Sequence, residues 1–175
     1  DAIGASLGVA TLAKELKRKS YIIVNDQPQE LEPGVKKVMD DSKKEYHFIN
    51  LEEFRKKSDR GSLLVVVDVN KRYLTSVQDD LDKVGKTIII DHHQEDKFTI
   101  PAQYTYIDQQ ASSASEIVAQ ILHAKQIKYS KNIANYLLAG IILDTKRFQK
   151  NTTPTTLDTA EKLCTKGADY VAVNK

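Results

Sequence analysis

The chain has 175 residues with 26 basic and 24 acidic side chains. That length fits one domain, and the net charge of +2 gives no electrostatic footprint for duplex nucleic acid or an anionic membrane. A single cysteine, Cys164, excludes an intrachain disulfide and a cysteine metal cage, and it suits a reducing compartment. The longest apolar run, residues 137–143, is far below the ~18 residues of a membrane span. The first residue is Asp1, with no Met and no signal segment, so a cut piece of a longer protein is expected.

Apolar strand-like runs alternate with amphipathic ones, which predicts an α/β fold with a mostly parallel sheet and helices on both faces. Residues 2–17 read as a helix, residues 21–24 as a strand and residues 27–34, with two prolines, as a loop. A helix over 35–44 and a short strand over 47–50 follow. Asn50 with Glu53 is a capping box that opens the next helix. Residues 63–67, Leu-Leu-Val-Val-Val, read as a strand buried on both faces. The pattern then predicts a helix over 76–83, with Asp79, Asp80 and Asp82 on its exposed face, and a second buried strand over 87–90. Tyr104 and Tyr106 alternate as on a strand edge. Ser113 with Glu116 makes another capping box, opening a helix to about Lys125. Ser130 opens a helical stretch through Leu138, while residues 140–143 fit helix or strand equally. A last helix over 155–166, with Cys164 on its apolar face, ends at Gly167.

Three apolar runs end in ionisable residues: one at Asp68, one at Asp91-His92-His93 and one at Asp144. A fourth acid, Asp1, stands just before the first helix. In an open α/β sheet, ligands bind beyond the carboxyl ends of the strands. Parallel strands bring Asp68 and the Asp91-His92-His93 group to one such edge. Carboxylates and imidazoles gathered there suit a divalent ion such as Mn²⁺. Each residue also has an ordinary reading. An aspartate after a strand forms turns or caps helices, and Asp1 is placed to cap its own helix. Ser112, Ser113 and Ser115 read as helix capping, with free N–H groups at that helix start as an alternative phosphate site. His47 and His123 stand outside any ligand cluster.

Asp91-His92-His93 after Ile88-Ile89-Ile90 resembles the signature of the DHH phosphoesterase superfamily, which includes RecJ nucleases, nanoRNases and family II pyrophosphatases. Within it the chain is similar to the DHH domain of GdpP-type cyclic-di-AMP phosphodiesterases. The resemblance is carried by Asp1-Ala-Ile-Gly-Ala-Ser-Leu-Gly-Val, Leu64-Val-Val-Val-Asp68 and Ile89-Ile-Asp-His-His93. Ala111-Ser-Ser-Ala-Ser-Glu116, Ala139-Gly-Ile-Ile-Leu-Asp-Thr145 and Lys166-Gly-Ala-Asp169 complete it, in order along the whole chain.

The resemblance implies a manganese-dependent phosphodiesterase that uses two Mn²⁺ ions to open cyclic-di-AMP to linear pApA. Asp1, Asp68, His92 and Asp144 would bind metal, with Asp68 as the bridge between the ions. Asp91 would orient an imidazole, and His93 would face the phosphate. The family's first metal site draws on a His and an Asp upstream of Asp1, and its C-terminal lobe carries a glycine-rich His motif. The resemblance therefore implies a DHH domain over residues 1–175 without its first strand and without that lobe. Such a piece is expected to bind at most one divalent ion tightly and to be inactive alone. GdpP-type proteins are membrane-anchored, so a cytoplasmic domain of a bacterial signalling protein is implied. Asn70, Gln94-Glu95 and the stretch 151–155 depart from the family, which has a His or basic residues there. The alternatives are a nanoRNase-like enzyme acting on short RNA or 3′-phosphoadenosine 5′-phosphate, and a non-catalytic DHH remnant used in homodimerisation or sensing.

Overall fold

The computed structural model describes residues 1–24 and 31–174. Residues 25–30, which include part of the predicted loop 27–34, lie outside the described residues. The elements run α1 (Ala2–Glu15), β1 (Ile22–Ile23), α2 (Pro33–Ser42), β2 (Phe48–Ile49), α3 (Leu51–Lys57), β3 (Leu63–Val67), β4 (Lys86–Asp91), β5 (Tyr104–Ile107), α4 (Ala114–Ala124), α5 (Lys131–Asp144), α6 (Pro154–Thr165) and α7 (Tyr170–Val173).

Among the described residues the strands pair in parallel, and one isolated antiparallel bridge joins Lys71 and Thr99. β1 lies beside β2, and a second sheet runs β3–β4–β5 with Val65 opposite Ile88 and Ile88 opposite Tyr104. Alternation along the strands divides the interior in two. Val65, Val67, Ile88 and Ile90 point to a core shared with α1, α4, α5 and α6. Leu7, Ile117, Leu122, Leu137, Leu138, Ile141 and Leu163 are fully buried there. Each such side chain stabilises the fold by about 1.5–3 kcal/mol relative to an exposed one. Leu64, Val66 and Ile89 point the other way, onto Phe54 of α3 and onto Val77, Leu81, Val84 and Ile100. β1 and β2 contribute to both cores, through Ile22 on the first side and Ile49 on the second. α1 packs against both β1 and β3.

The caps follow the sequence. Asn50 Oδ1 accepts from Glu53 N–H and Glu53 Oε2 from Asn50 N–H, so the capping box of α3 forms. Ser130 caps α5, which continues unbroken to Asp144, so residues 140–143 are helix. Pro154 opens α6 at the position where its missing N–H costs nothing.

Three local expectations are corrected. Residues 76–83 form no α-helix; a three-residue 3-10 turn, Leu81–Lys83, suffices to bring Val77, Leu81 and Val84 into the second core. Asp80 is buried rather than exposed, held by Arg55 Nε at 2.9 Å and Lys83 Nζ at 3.0 Å. Burial pushes its carboxyl up, but Lys83 and Arg55 outweigh burial and hold it below the ordinary carboxylate range. Cys164 is exposed, because the buried stripe of α6 runs through Thr156, Thr159, Ala160 and Leu163 and passes one residue before it. The sixth helix is also followed by a further turn of helix, α7. Tyr104 and Tyr106 do lie on an edge strand, β5, beyond the cover of the helices. Among the described residues no helix is long and apolar enough to cross a membrane.

Candidate active site

The carboxyl ends of β3 and β4, the start of α1 and the last residue of α5 meet at one place. Asp68 follows β3 directly and turns away from the strand in the left-handed region, at φ +63. β4 runs on through Asp91, which has no exposed surface. Ligand atoms of Asp1, Asp68, His92 and Asp144 all lie within 4.8 Å of one another, and so do those of Asp68, Asp91, His92 and His93. Asp68 and His92 belong to both groups.

His92 sits at the centre of the first group. Its Nε2 is 3.2 Å from Asp144 Oδ2 and 3.5 Å from Asp68 Oδ1, yet in hydrogen-bonding geometry with neither. Burial alone pulls its pKa down; the carboxylates of Asp144 and Asp68 outweigh that and raise it to about 9. Three carboxylates around one imidazole form a net-negative donor set. That set and a buried Nε2 without a hydrogen-bond partner fit a hard or borderline divalent cation.

Asp91 plays a different part. Its Oδ1 accepts from the His92 backbone N–H and from His93 Nδ1, both at 2.8 Å. This fixes the proton of a neutral His93 on Nδ1 and leaves Nε2 without it. His93 is half exposed and lines the adjoining cleft. Its loop is tied down from behind: Asn70 Nδ2 donates to His93 O at 3.0 Å and Lys71 Nζ to Gln94 O at 2.8 Å. Asn70 is almost fully buried. The sequence marks it only as a departure from the family; its position two residues beyond a strand-end acid was the available signal.

Asp1 does not cap its own helix. Its Oδ2 accepts from Ala114 N–H at 2.8 Å and its Oδ1 from Ser115 N–H at 2.9 Å, so it caps α4 across 113 residues of sequence. Those N–H groups are therefore taken, which overturns the phosphate-site alternative at that helix start. Gly140 on α5 makes room for the arrangement: a Cβ there would overlap Ser115 Oγ and lie 2.7 Å from Asp1 Oδ1. Ser113 caps the same helix by accepting from Glu116 N–H. Glu116 does not complete the expected box. Its buried Oε2 instead accepts from Ser112 N–H, Ser112 Oγ–H and Thr156 Oγ1–H, which ties α4 to the start of α6. Ser112, Ser113 and Ser115 have no exposed surface.

The cleft beside these groups has a volume of about 580 Å³. Its lining includes His92, His93 and Asp144, then Gln94, Gln109, Gln110, Lys150 and Asn151. The segment that carries Lys150 is strained. Lys146, Arg147, Phe148 and Asn151 all have positive φ, between 47 and 62, at a cost of about 1–2 kcal/mol each. Thr145, fully buried, holds this turn. Its Oγ1 accepts from Phe148 N–H at 2.9 Å, and its carbonyl accepts from the N–H groups of Gln149 and Lys150. Phe148 stacks on Tyr170 of α7.

A family model described as the DHH family, N-terminal domain, matches residues 1–141. The sequence is 34% identical over 182 residues to the cyclic-di-AMP phosphodiesterase GdpP of Bacillus subtilis, across 100% of this chain and 27% of that protein. It is 32% identical over 186 residues to the cyclic-di-AMP phosphodiesterase PdeA of Listeria monocytogenes, with the same coverage of both. The chain thus spans 27% of the length of these curated relatives. An exopolyphosphatase-related protein from Bacteroides fragilis has the same fold, with a TM-score of 0.72 at 21% identity over 99% of this chain and 51% of that one.

Proposed function

Because the chain belongs to the DHH family, we propose that it is the metal-dependent phosphodiesterase domain of a protein that opens cyclic-di-AMP to linear pApA. The observation that carries this reading is the convergence of Asp1, Asp68, His92 and Asp144 around one point at the strand ends. In this reading those four residues would hold manganese, with Asp68 as the carboxylate that two ions would share. The ions supply charge neutralisation at the phosphoryl oxygens and a water-derived nucleophile at neutral pH. Asp91 holds the His93 ring by its Nδ1–H and so aims Nε2 at the cleft. A protonated His93 donates from Nε2 to a phosphoryl oxygen as charge builds there.

The same reading gives the whole protein a further strand, and among the described residues β1 and β3 each have one edge with no strand paired to it. That strand would bring the remaining ligands of the second ion. It also gives the whole protein a C-terminal lobe and puts this domain on the cytoplasmic side of a membrane-anchored protein. Residues 1–175 expressed by themselves are then expected to bind one divalent ion at most and to turn over nothing.

The test is hydrolysis by the full-length protein in Mn²⁺, with cyclic-di-AMP, a short oligoribonucleotide and 3′-phosphoadenosine 5′-phosphate as substrates. Release of pApA from cyclic-di-AMP, abolished by Asp68→Ala, is expected. Preferential cleavage of either of the others assigns a nanoRNase-like activity instead. No hydrolysis of any of them leaves the domain as a binding module.

A further inference from the structure

The ladder between β3 and β4 ends just short of the site, and two side chains continue it. Val67 stands opposite Ile90 in the last pair of the ladder, and Asp68 N–H still donates to Ile90 O at 3.1 Å. The left-handed turn at Asp68 then carries the backbone away. Beyond it Asn70 Nδ2 donates to His93 O at 3.0 Å and Lys71 Nζ to Gln94 O at 2.8 Å. Each of these pairs is 23 residues apart in sequence, the same offset as Val67 and Ile90. The strand register thus runs on through side chains after the two backbones part. The backbone of the same segment holds the far end of the loop. Ile100 N–H donates to Asn70 O at 2.8 Å, Arg72 N–H donates to Phe98 O at 3.2 Å, and Lys71 bridges Thr99. Asn70 is 1% exposed, yet its Oδ1 finds no hydrogen-bond partner among the described residues. A buried amide oxygen left without a donor works against stability. Packing alone would be better served there by an apolar side chain of the same shape. What the amide adds is one donor, and that donor goes to the carbonyl of the histidine that lines the cleft.

We infer that Asn70 is a positioning residue for the reaction: by holding the His93 carbonyl it fixes where the imidazole stands at the cleft. The inference rests on the phosphodiesterase reading above, in which His93 Nε2 meets a phosphoryl oxygen. Asp91 sets the rotation of the ring through Nδ1, and Asn70 sets the backbone from which the ring hangs. Asn70 lies two residues beyond Asp68, in the same turn after β3, so its bond ties the imidazole to the carboxylate of the neighbouring strand end. Lys71 reinforces the tie one residue on, with its Nζ also 3.0 Å from Asp96 Oδ1. A group that acts on a transition state depends steeply on place, and a displacement of about 1 Å costs on the order of 100-fold in rate.

The experiment uses the full-length protein in Mn²⁺, with whichever of the three substrates above the wild-type protein cleaves. Asn70→Ala should lower kcat by about tenfold to 100-fold and leave KM within about threefold, because an interaction made in the transition state is what weakens. Manganese content should stay at the wild-type value. Asn70→Leu, of the same branched shape but without a donor, should behave alike and keeps the comparison if Asn70→Ala does not fold. Asn70→His, whose ring Nδ1–H can stand where the amide Nδ2 stands, should recover most of the turnover. The deciding measurement is the double-variant cycle with His93→Ala. Asn70→Ala added to His93→Ala should change kcat by less than about twofold, since the group it positions is already gone. A further loss as large as in the wild-type background overturns the inference, and so does wild-type kcat in both Asn70→Ala and Asn70→Leu. If the wild-type protein cleaves none of the three substrates, the phosphodiesterase reading falls by itself. Amide hydrogen exchange over residues 92–99 then decides whether Asn70 holds the loop: faster exchange in Asn70→Leu upholds it, and unchanged exchange overturns it.

Discussion

The strand-end floor of the cleft and its amide-lined wall are built by opposite means. The floor is buried or half-buried and satisfied largely from long range, Asp1 by the N-terminus of α4 and the His93 loop by Asn70, while the ring of His93 is held locally by Asp91. The wall is exposed, and its residues Lys150 and Asn151 stand on a strained turn held by buried Thr145 and by the stacking of Phe148 on Tyr170. A floor made this way keeps charges in place that would otherwise repel one another. A wall made this way can change its side chains at little cost to the fold. Under the function proposed above the floor carries the chemistry, and side chains of the wall can be changed without disturbing it.

The largest expected effect divides the floor itself. His92→Ala in the full-length protein should abolish hydrolysis together with manganese binding, measured by metal analysis after gel filtration. His93→Ala should lower turnover by at least about 100-fold, the scale of losing a donor to a charged transition state, with metal content unchanged. Equal metal loss in both variants would end the division of roles.

Gly140→Ala tests whether Asp1 is held by helix packing. The new methyl group meets Ser115 and Asp1. Overpacking of this kind costs about 1–3 kcal/mol, and in a domain of this size each kcal/mol lowers the thermal midpoint by about 2–4 °C. Manganese affinity should fall with it. A variant that melts lower but binds manganese normally would show that Asp1 is not a ligand.

The pH dependence of stability should also come from the floor. His92 titrates at about 9 in the fold, above its ordinary 6.5, against burial and because of Asp144 and Asp68. Its contribution is complete below about pH 6.5 and is lost as pH rises through about 9. Without manganese the thermal midpoint should therefore fall between pH 7 and pH 10, and His92→Gln should flatten that fall. A slope unchanged in His92→Gln would place its origin elsewhere.

The smallest effect belongs to the wall. Thr153 caps α6 at the cleft edge, accepting from Thr156 N–H. Thr153→Ala should cost about 1 kcal/mol and leave manganese affinity at the wild-type value. A shift in metal affinity would mean that wall and floor are coupled, with Glu116 and Thr156 as the connection.

Much of this was legible before any coordinates. Period-two alternation and runs of branched residues are local signals, so β3 and β4 stand where the pattern puts them. Caps are local too, as Asn50, Ser113 and Ser130 show. The strand-end rule then brings Asp68 near Asp91-His92-His93 without any distance being known. Residues 76–83 misled because spacing 77, 81, 84 fits either a helix or a tight turn that buries the same three side chains.

Tertiary structure alone decided the rest, because the partners are remote in sequence and each is satisfied by a contact that no local window contains. Asp1 reads as the cap of its own helix until α4 arrives with two free N–H groups. Glu116 reads as half of a capping box until Ser112 and Thr156 offer better donors. Asp80 reads as solvated until Arg55 meets it across 25 residues. Lys150 is one of many exposed lysines in the sequence. Only the left-handed turn beneath it, a conformation that pattern does not encode, sets it on the wall of the cleft.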